Sequence, residues 1–154
     1  MVSLTALWLP IVLSAVAIFI ASSIIHMVFK YHNAEYSQLP DEDGVLAAMR
    51  SAKTSPGFYS VPYAGDMKEM GSPEMIEKYK AGPVGTVNIN PSGTPEMGKL
   101  LAQWFVYTLL VGFFAAYIAS RTLGPGTHYL QVFRVVGATT FMGYAFAYLS
   151  DGVW

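Results

Sequence analysis

GKLLAQWFVYTLLVGFFAAYIAS, residues 98–120, decides the fold, because Lys99 is its only charged residue. A helix of about 20 such residues covers the roughly 30 Å hydrocarbon layer of a bilayer. Just upstream, GTPEM at 93–97 repeats GSPEM at 71–75. In both, Ser or Thr is expected to accept from an orphan backbone N–H, Pro to preset the first helical residue, and Glu to complement the helix dipole. Beyond Met75 the chain turns charged, IEKYK, and beyond Met97 it turns apolar. The repeat is therefore one helix-start signal leading into two different solvents, and Thr94 to Lys99 marks the passage into the apolar stretch.

Two further segments share the character of 98–120. Residues 4–29, LTALWLPIVLSAVAIFIASSIIHMVF, hold no Asp, Glu, Lys or Arg, with Pro10 in the first turn and Trp8 where an interfacial aromatic belongs. Residues 128–149, HYLQVFRVVGATTFMGYAFAYL, follow the short turn RTLGPGT and are expected to pair with 98–120 as an antiparallel helical hairpin. The whole chain is 53% hydrophobic and 12% charged, with a mean hydropathy of +0.40, whereas soluble domains are roughly 25% charged. The expectation is a mainly α integral membrane protein with three transmembrane helices. The rival for 4–29 is a cleaved signal peptide, but its start lacks Lys and Arg and the apolar run is long, which favours a retained anchor.

Between the first two spans, residues 31–97 carry seven of the nine prolines, seven of the fourteen glycines and nine of the ten acidic residues. This composition marks an extramembrane module. LPDEDGVLAAMRSA reads as a short amphipathic helix whose first turn holds Pro40 and three acids. PGFYSVPYAG reads as extended, SPEMIEKYKAG as a helix capped by Ser72 and stopped by Gly82, and GPVGTVNINP as a second extended piece. So small a module, without disulfide or metal, is expected to lean on the bilayer surface or on another protein. Lys30 and Lys99 flank it and only Arg121 lies near the opposite face, which favours a cytoplasmic module.

Composition also excludes chemistry. The net charge of −1 gives no basic face for nucleic acid. The absence of cysteine removes disulfides, thiolate metal sites and covalent haem attachment. No GxSxG, HExxH, P-loop or paired Glu-x-x-His occurs, so an enzyme is not expected. The acidic run Asp41, Glu42, Asp43 lacks the spacing of a calcium loop and is explained by helix-start electrostatics.

Three features remain as candidates. Arg134 lies about two turns inside the third apolar segment with Gln131 on the same face, and no carboxylate accompanies it there. It either lines a polar gate, anchors to a partner's carboxylate, or reaches the interface near Arg121 and His128. His26 either ligates haem or bonds a backbone carbonyl or headgroup; His32 and His128, in interfacial or loop sequence, are poor second ligands, and no cofactor is expected. Small residues at i, i+4 spacing, namely Ala17 and Ala21, then Gly112, Ala116 and Ser120, then Gly143 and Ala147, would let helices approach closely, within the chain or toward a partner.

The stretches YHNAEYSQLPDEDGVLAAMR (31–50), DMKEMGSPEM (66–75), AGPVGTVNI (81–89), MGKLLAQWF (97–105), YLQVFRVVG (129–137) and SDGVW (150–154) resemble a family of uncharacterised bacterial integral-membrane proteins. The resemblance covers nearly the whole chain and implies no activity and no catalytic residue. It implies a further apolar helix after a Trp-containing linker, hence four spans with both termini on one side and a chain cut short at Trp154. The expected role is an accessory or scaffold subunit of a larger bacterial inner-membrane complex, with other membrane subunits and lipid as partners. A small transporter or channel component built on Arg134 and a redox subunit built on His26 are the alternatives.

Overall fold

The computed structural model describes residues 2–29, 33 and 36–151. It is mainly helical and divides into two compact units, one formed by the two ends of the chain and the other by residues 37–95.

The first unit holds the three apolar segments. A 3₁₀ turn, Leu4–Leu7, leads into α1, Trp8–Ile24, which widens into a π turn at Ile25–Phe29. Helix α5, Met97–Thr122, and helix α6, Tyr129–Asp151, follow after the second unit. Pro10 sits in the first turn of α1, where its missing N–H removes no intrahelical bond. Helix α5 is central, since α1 and α6 each pack on it rather than on each other. Both pairings are antiparallel. Gly112 meets Ile11 while Trp104 meets Ser22, and Tyr107 near the start of α5 meets Gly143 near the end of α6. The expected hairpin therefore forms, turning through Leu123–His128, where Gly126 takes φ 78°, a left-handed conformation that glycine adopts without a Cβ clash.

Among the described residues, two helical stretches are long and apolar enough to cross a membrane, Leu4–Phe29 and Met97–Thr122. Only 6% and 11% of their most apolar windows are buried, whereas a soluble core helix is mostly covered. Large side chains such as Leu13, Ile20, Leu110 and Phe114 point outward. What the unit buries most deeply is small: Ala15, Thr108, Ala115 and Ser120. Helix α6 has the length but a more polar composition, with Gln131, Arg134, Thr139 and Thr140 in its first half.

Among its described residues the second unit holds three short helices and two strands, one helix more than the sequence reading gave. Helix α2, Glu42–Ser51, begins two residues later than Pro40 suggested: Asp41 is the cap, its Oδ1 accepting from the Gly44 N–H at 3.1 Å, and Pro40 stands before it. Strands β1, Gly57–Val61, and β2, Gly85–Ile89, form an antiparallel two-stranded ribbon with Tyr59 opposite Val87. The short helix α3, Met67–Met70, is capped by Asp66, which accepts from the Glu69 N–H at 2.7 Å. Glu69 in turn accepts from the Gly65 N–H at 2.8 Å. Helix α4, Pro73–Ala81, starts as expected, with Ser72 Oγ accepting from the Met75 N–H at 3.2 Å and Pro73 at the first position. It ends at Gly82, whose φ of 61° favours glycine. Among the described residues of this unit, Met75 is the one buried apolar side chain.

The second GxPEM copy behaves differently, and the expectation for it is corrected. Thr94 and Pro95 lie outside α5, Glu96 occupies the cap position, and no side chain bonds the first N–H groups. Glu96 has φ −76° and ψ 74°, so the chain enters the helix two residues later than a cap at Thr94 would place it.

Candidate functional site

The helical unit carries two constructed regions, a polar and aromatic seam at one level and an apolar trough beside it. The seam begins with Trp104 on α5, whose Nε1 donates to Ser22 Oγ on α1 at 3.0 Å. Ser22 Oγ passes its own proton to the Phe19 carbonyl at 3.1 Å. Each donor in this relay is satisfied inside the helical unit, as an environment poor in water requires. Trp104 also sits 5.5 Å from the Tyr107 ring and 6.2 Å from that of Tyr144 on α6, and Tyr107 and Tyr144 meet edge to face at 5.6 Å. Tyr107 donates to the Gly143 carbonyl. Phe19 and Phe105 add a second edge-to-face pair between α1 and α5, at 5.8 Å. The Tyr144 hydroxyl is buried without a hydrogen-bond partner.

The trough opens between α1 and α6, because both lean on α5 and leave a gap between themselves. It encloses about 360 Å³ and is floored by Gly112, Ala115, Ala116 and Ala119, with Ile11, Ser14 and Ile18 on one wall and Val132, Val136 and Thr140 on the other. A second cavity of about 240 Å³ shares Leu7, Ala119 and Val132 with it and extends to the Gly124–Thr127 turn. Three of the hydroxyls lining these two cavities are spent on their own helices. Ser14 donates to the Pro10 carbonyl at 2.6 Å, Thr140 to Val136 at 2.9 Å, and Ser120 to Tyr117 at 2.7 Å. Such back-bonding occupies these three hydroxyls, and the unpartnered polar group in the trough lining is the buried Tyr144 hydroxyl on α6.

The small-residue positions separate. Gly112, Ala116 and Ser120 lie on the inner side of α5, in the trough or at its end. Gly143 packs against Val111, whose Cγ1 would stand 3.0 Å from an added Cβ. Ala17 and Ala21 are exposed, since α1 meets α5 through Ile11, Ala15 and Ser22 instead. The side chain of Ala147 lies outside the described residues.

Arg134 and Gln131 are both exposed in the first two turns of α6, and neither lines the trough or its extension. Arg121 lies at the same end of the unit, its guanidinium 5.6 Å over the Tyr117 ring. His26 Nδ1 donates to the Ser22 carbonyl at 2.8 Å, the backbone contact that was one of its two readings; His32 lies outside the described residues. Among the described residues, no three of His, Asp and Glu gather where a metal could sit. Asp41 and Glu42 are engaged locally, Glu42 accepting from Gln38 at 3.3 Å.

The seam was not legible as a site, because Trp104 and Ser22 are 82 residues apart and each reads as ordinary apolar-helix composition. No protein-family model matches the chain, and no curated protein or solved structure is detectably similar to it.

Proposed function

We propose that the protein is a multi-pass membrane protein with α1, α5 and α6 as three spans, acting as a non-catalytic accessory or scaffold subunit of a larger complex in a bacterial inner membrane. The observation that supports this is how little either unit buries. The helical unit turns its large apolar side chains outward, and the 37–95 unit covers a single apolar side chain, Met75, among its described residues. A polar unit of that size without a staple gains its order by docking on a neighbour or on the bilayer surface. Lys30 and Lys99 beside the polar unit, against Arg121 at the far end, favour placing that unit in the cytoplasm.

The transporter alternative draws no support from Arg134 and Gln131, which are exposed outside the trough. Two experiments test the proposal. Extraction in mild detergent should recover the chain bound to larger subunits, and elution alone at monomer size overturns the subunit role. The cysteine-free sequence allows clean topology mapping: thiols introduced as Ser92→Cys and Thr127→Cys should be labelled from opposite sides of sealed membranes. Labelling of both from one side overturns the three-span arrangement.

A further inference from the structure

We propose that the trough between α1 and α6 is a site for a membrane quinone, with a ring carbonyl accepting from the buried Tyr144 hydroxyl and the prenyl tail lying along the floor between Gly112 and Ala119. This inference rests on the membrane reading above and goes beyond it.

Three observations support this ligand. Among the described residues, the Tyr144 hydroxyl is the one buried side-chain polar atom without a hydrogen-bond partner. Leaving such a group unpaired is costly where no water reaches it, and an acceptor supplied from outside the chain removes the cost. The depth of Tyr144 selects the source of that acceptor. It follows Gly143, which Tyr107 and Val111 meet, and those two residues lie near the middle of α5. The ester carbonyls of bilayer lipids stay at the edge of the hydrocarbon, roughly 15 Å from that level. A partner's helix spends its backbone carbonyls on its own turns. A quinone, by contrast, carries two carbonyls on an apolar body that resides within the hydrocarbon. The third observation is the shape around the hydroxyl. Tyr144 borders both the trough and a second apolar recess that includes Trp104 and Phe141, and Ile18 and Thr140 flank it in both. The flat headgroup reaches the hydroxyl between Ile18 and Thr140, against aromatic side chains that favour a ring. From there the trough offers about 360 Å³ over a floor of glycine and alanine, which leaves room for the tail.

The test uses the whole chain in native membranes and a benzoquinone whose short prenyl tail carries a diazirine. After irradiation and peptide mapping, the label should concentrate on the α5 and α6 peptides that line the trough, and labelling should saturate. Unlabelled quinone should compete, whereas the prenyl hydrocarbon without its ring and short-chain phosphatidylcholine should not. Tyr144→Phe should raise the quinone concentration for half-maximal labelling about fivefold, the worth of one hydrogen bond. That variant removes an unpaired hydroxyl, so without quinone its thermal stability in mild detergent should match or exceed the parent's. Ala116→Phe, which fills the trough, should abolish labelling, while Ala138→Phe on the exposed side of α6 should preserve it. Labelling that does not saturate, equal competition by the hydrocarbon or the phospholipid, or unchanged labelling of Tyr144→Phe overturns the proposal. A loss of stability in Tyr144→Phe without quinone also overturns it, because the hydroxyl would then have a partner inside the chain. Labelling that emerges only after detergent strips away other subunits overturns it in favour of a partner's helix. Release of the chain from membranes by alkali would instead overturn the membrane reading itself.

Discussion

Trp104 and Ser22, on different helices and 82 residues apart, share a hydrogen bond of 3.0 Å that joins α1 to α5. Its worth can be measured by a double-mutant cycle, because Trp104→Phe removes the donor and Ser22→Ala the acceptor. Each single variant should lose about 0.5 to 1.5 kcal/mol, and the coupling should be about 0.6 kcal/mol, the typical figure for such bonds between membrane helices. Ser22→Ala should be the worse of the two, since it strands the indole N–H in apolar surroundings. Unfolding of the four proteins in mild detergent gives the answer, and additive losses would show that the bond contributes nothing.

The two helix-packing glycines should respond oppositely to alanine. At Gly112 an added Cβ would stand 3.6 Å from Ile11 Cγ2 and 3.7 Å from its carbonyl, ordinary contact distances, so Gly112→Ala gains up to about 1 kcal/mol of helix propensity. At Gly143, the residue whose carbonyl Tyr107 also engages, it would press on Val111 at 3.0 Å. Gly143→Ala should cost about 1 to 2 kcal/mol. Gly137→Ala, where nothing lies within 4 Å, is the control and should behave like Gly112→Ala. Thermal unfolding of the three variants in one detergent decides it, and a stabilised Gly143→Ala would mean that Val111 gives way freely.

What the sequence showed and what it hid divide along a physical line. Length, hydropathy and the GPG turn at 124–126 are local signals, and they located the helices and the hairpin. Ser72 and Pro73 likewise fixed the start of α4, because a cap and the bond it makes lie within one turn. The packing faces were hidden. A helix apolar all round has no polar side to mark its outside, so the Ala17 and Ala21 spacing was as good a candidate as the Ile11, Ala15 and Ser22 side that α5 meets. Nothing in either segment announces that Ser22 awaits an indole from α5.

The repeated GxPEM motif offers a direct comparison of two identical-looking signals. Ser72 caps α4 through the Met75 N–H, whereas Thr94 is separated from the α5 start by Pro95 and Glu96. Ser72→Ala should therefore destabilise the polar unit by about 1 kcal/mol, and Thr94→Ala should be close to neutral. Amide hydrogen exchange over Met75–Lys80 and over Met97–Leu101 reports the two helix starts separately. Faster exchange at the α5 start in Thr94→Ala would show that the threonine acts as a cap after all.

Arg134 sets the last prediction, which concerns depth. In the proposed membrane setting its exposed guanidinium, in the second turn of α6, has to reach the headgroup layer, and that requirement holds the Leu123–His128 turn out of the hydrocarbon. Arg134→Leu removes the requirement. Because no carboxylate occurs in residues 97–150, the change breaks no ion pair there, so stability should stay within about 0.5 kcal/mol of the parent or rise. The helix should settle deeper, and a thiol at Thr127→Cys should react more slowly with a polar maleimide than in the Arg134 parent. Arg134→Lys, whose long stem also snorkels, should restore the parent rate. An unchanged labelling rate in Arg134→Leu, together with a large loss of stability, would mean that the arginine is held by a buried partner rather than by the bilayer surface.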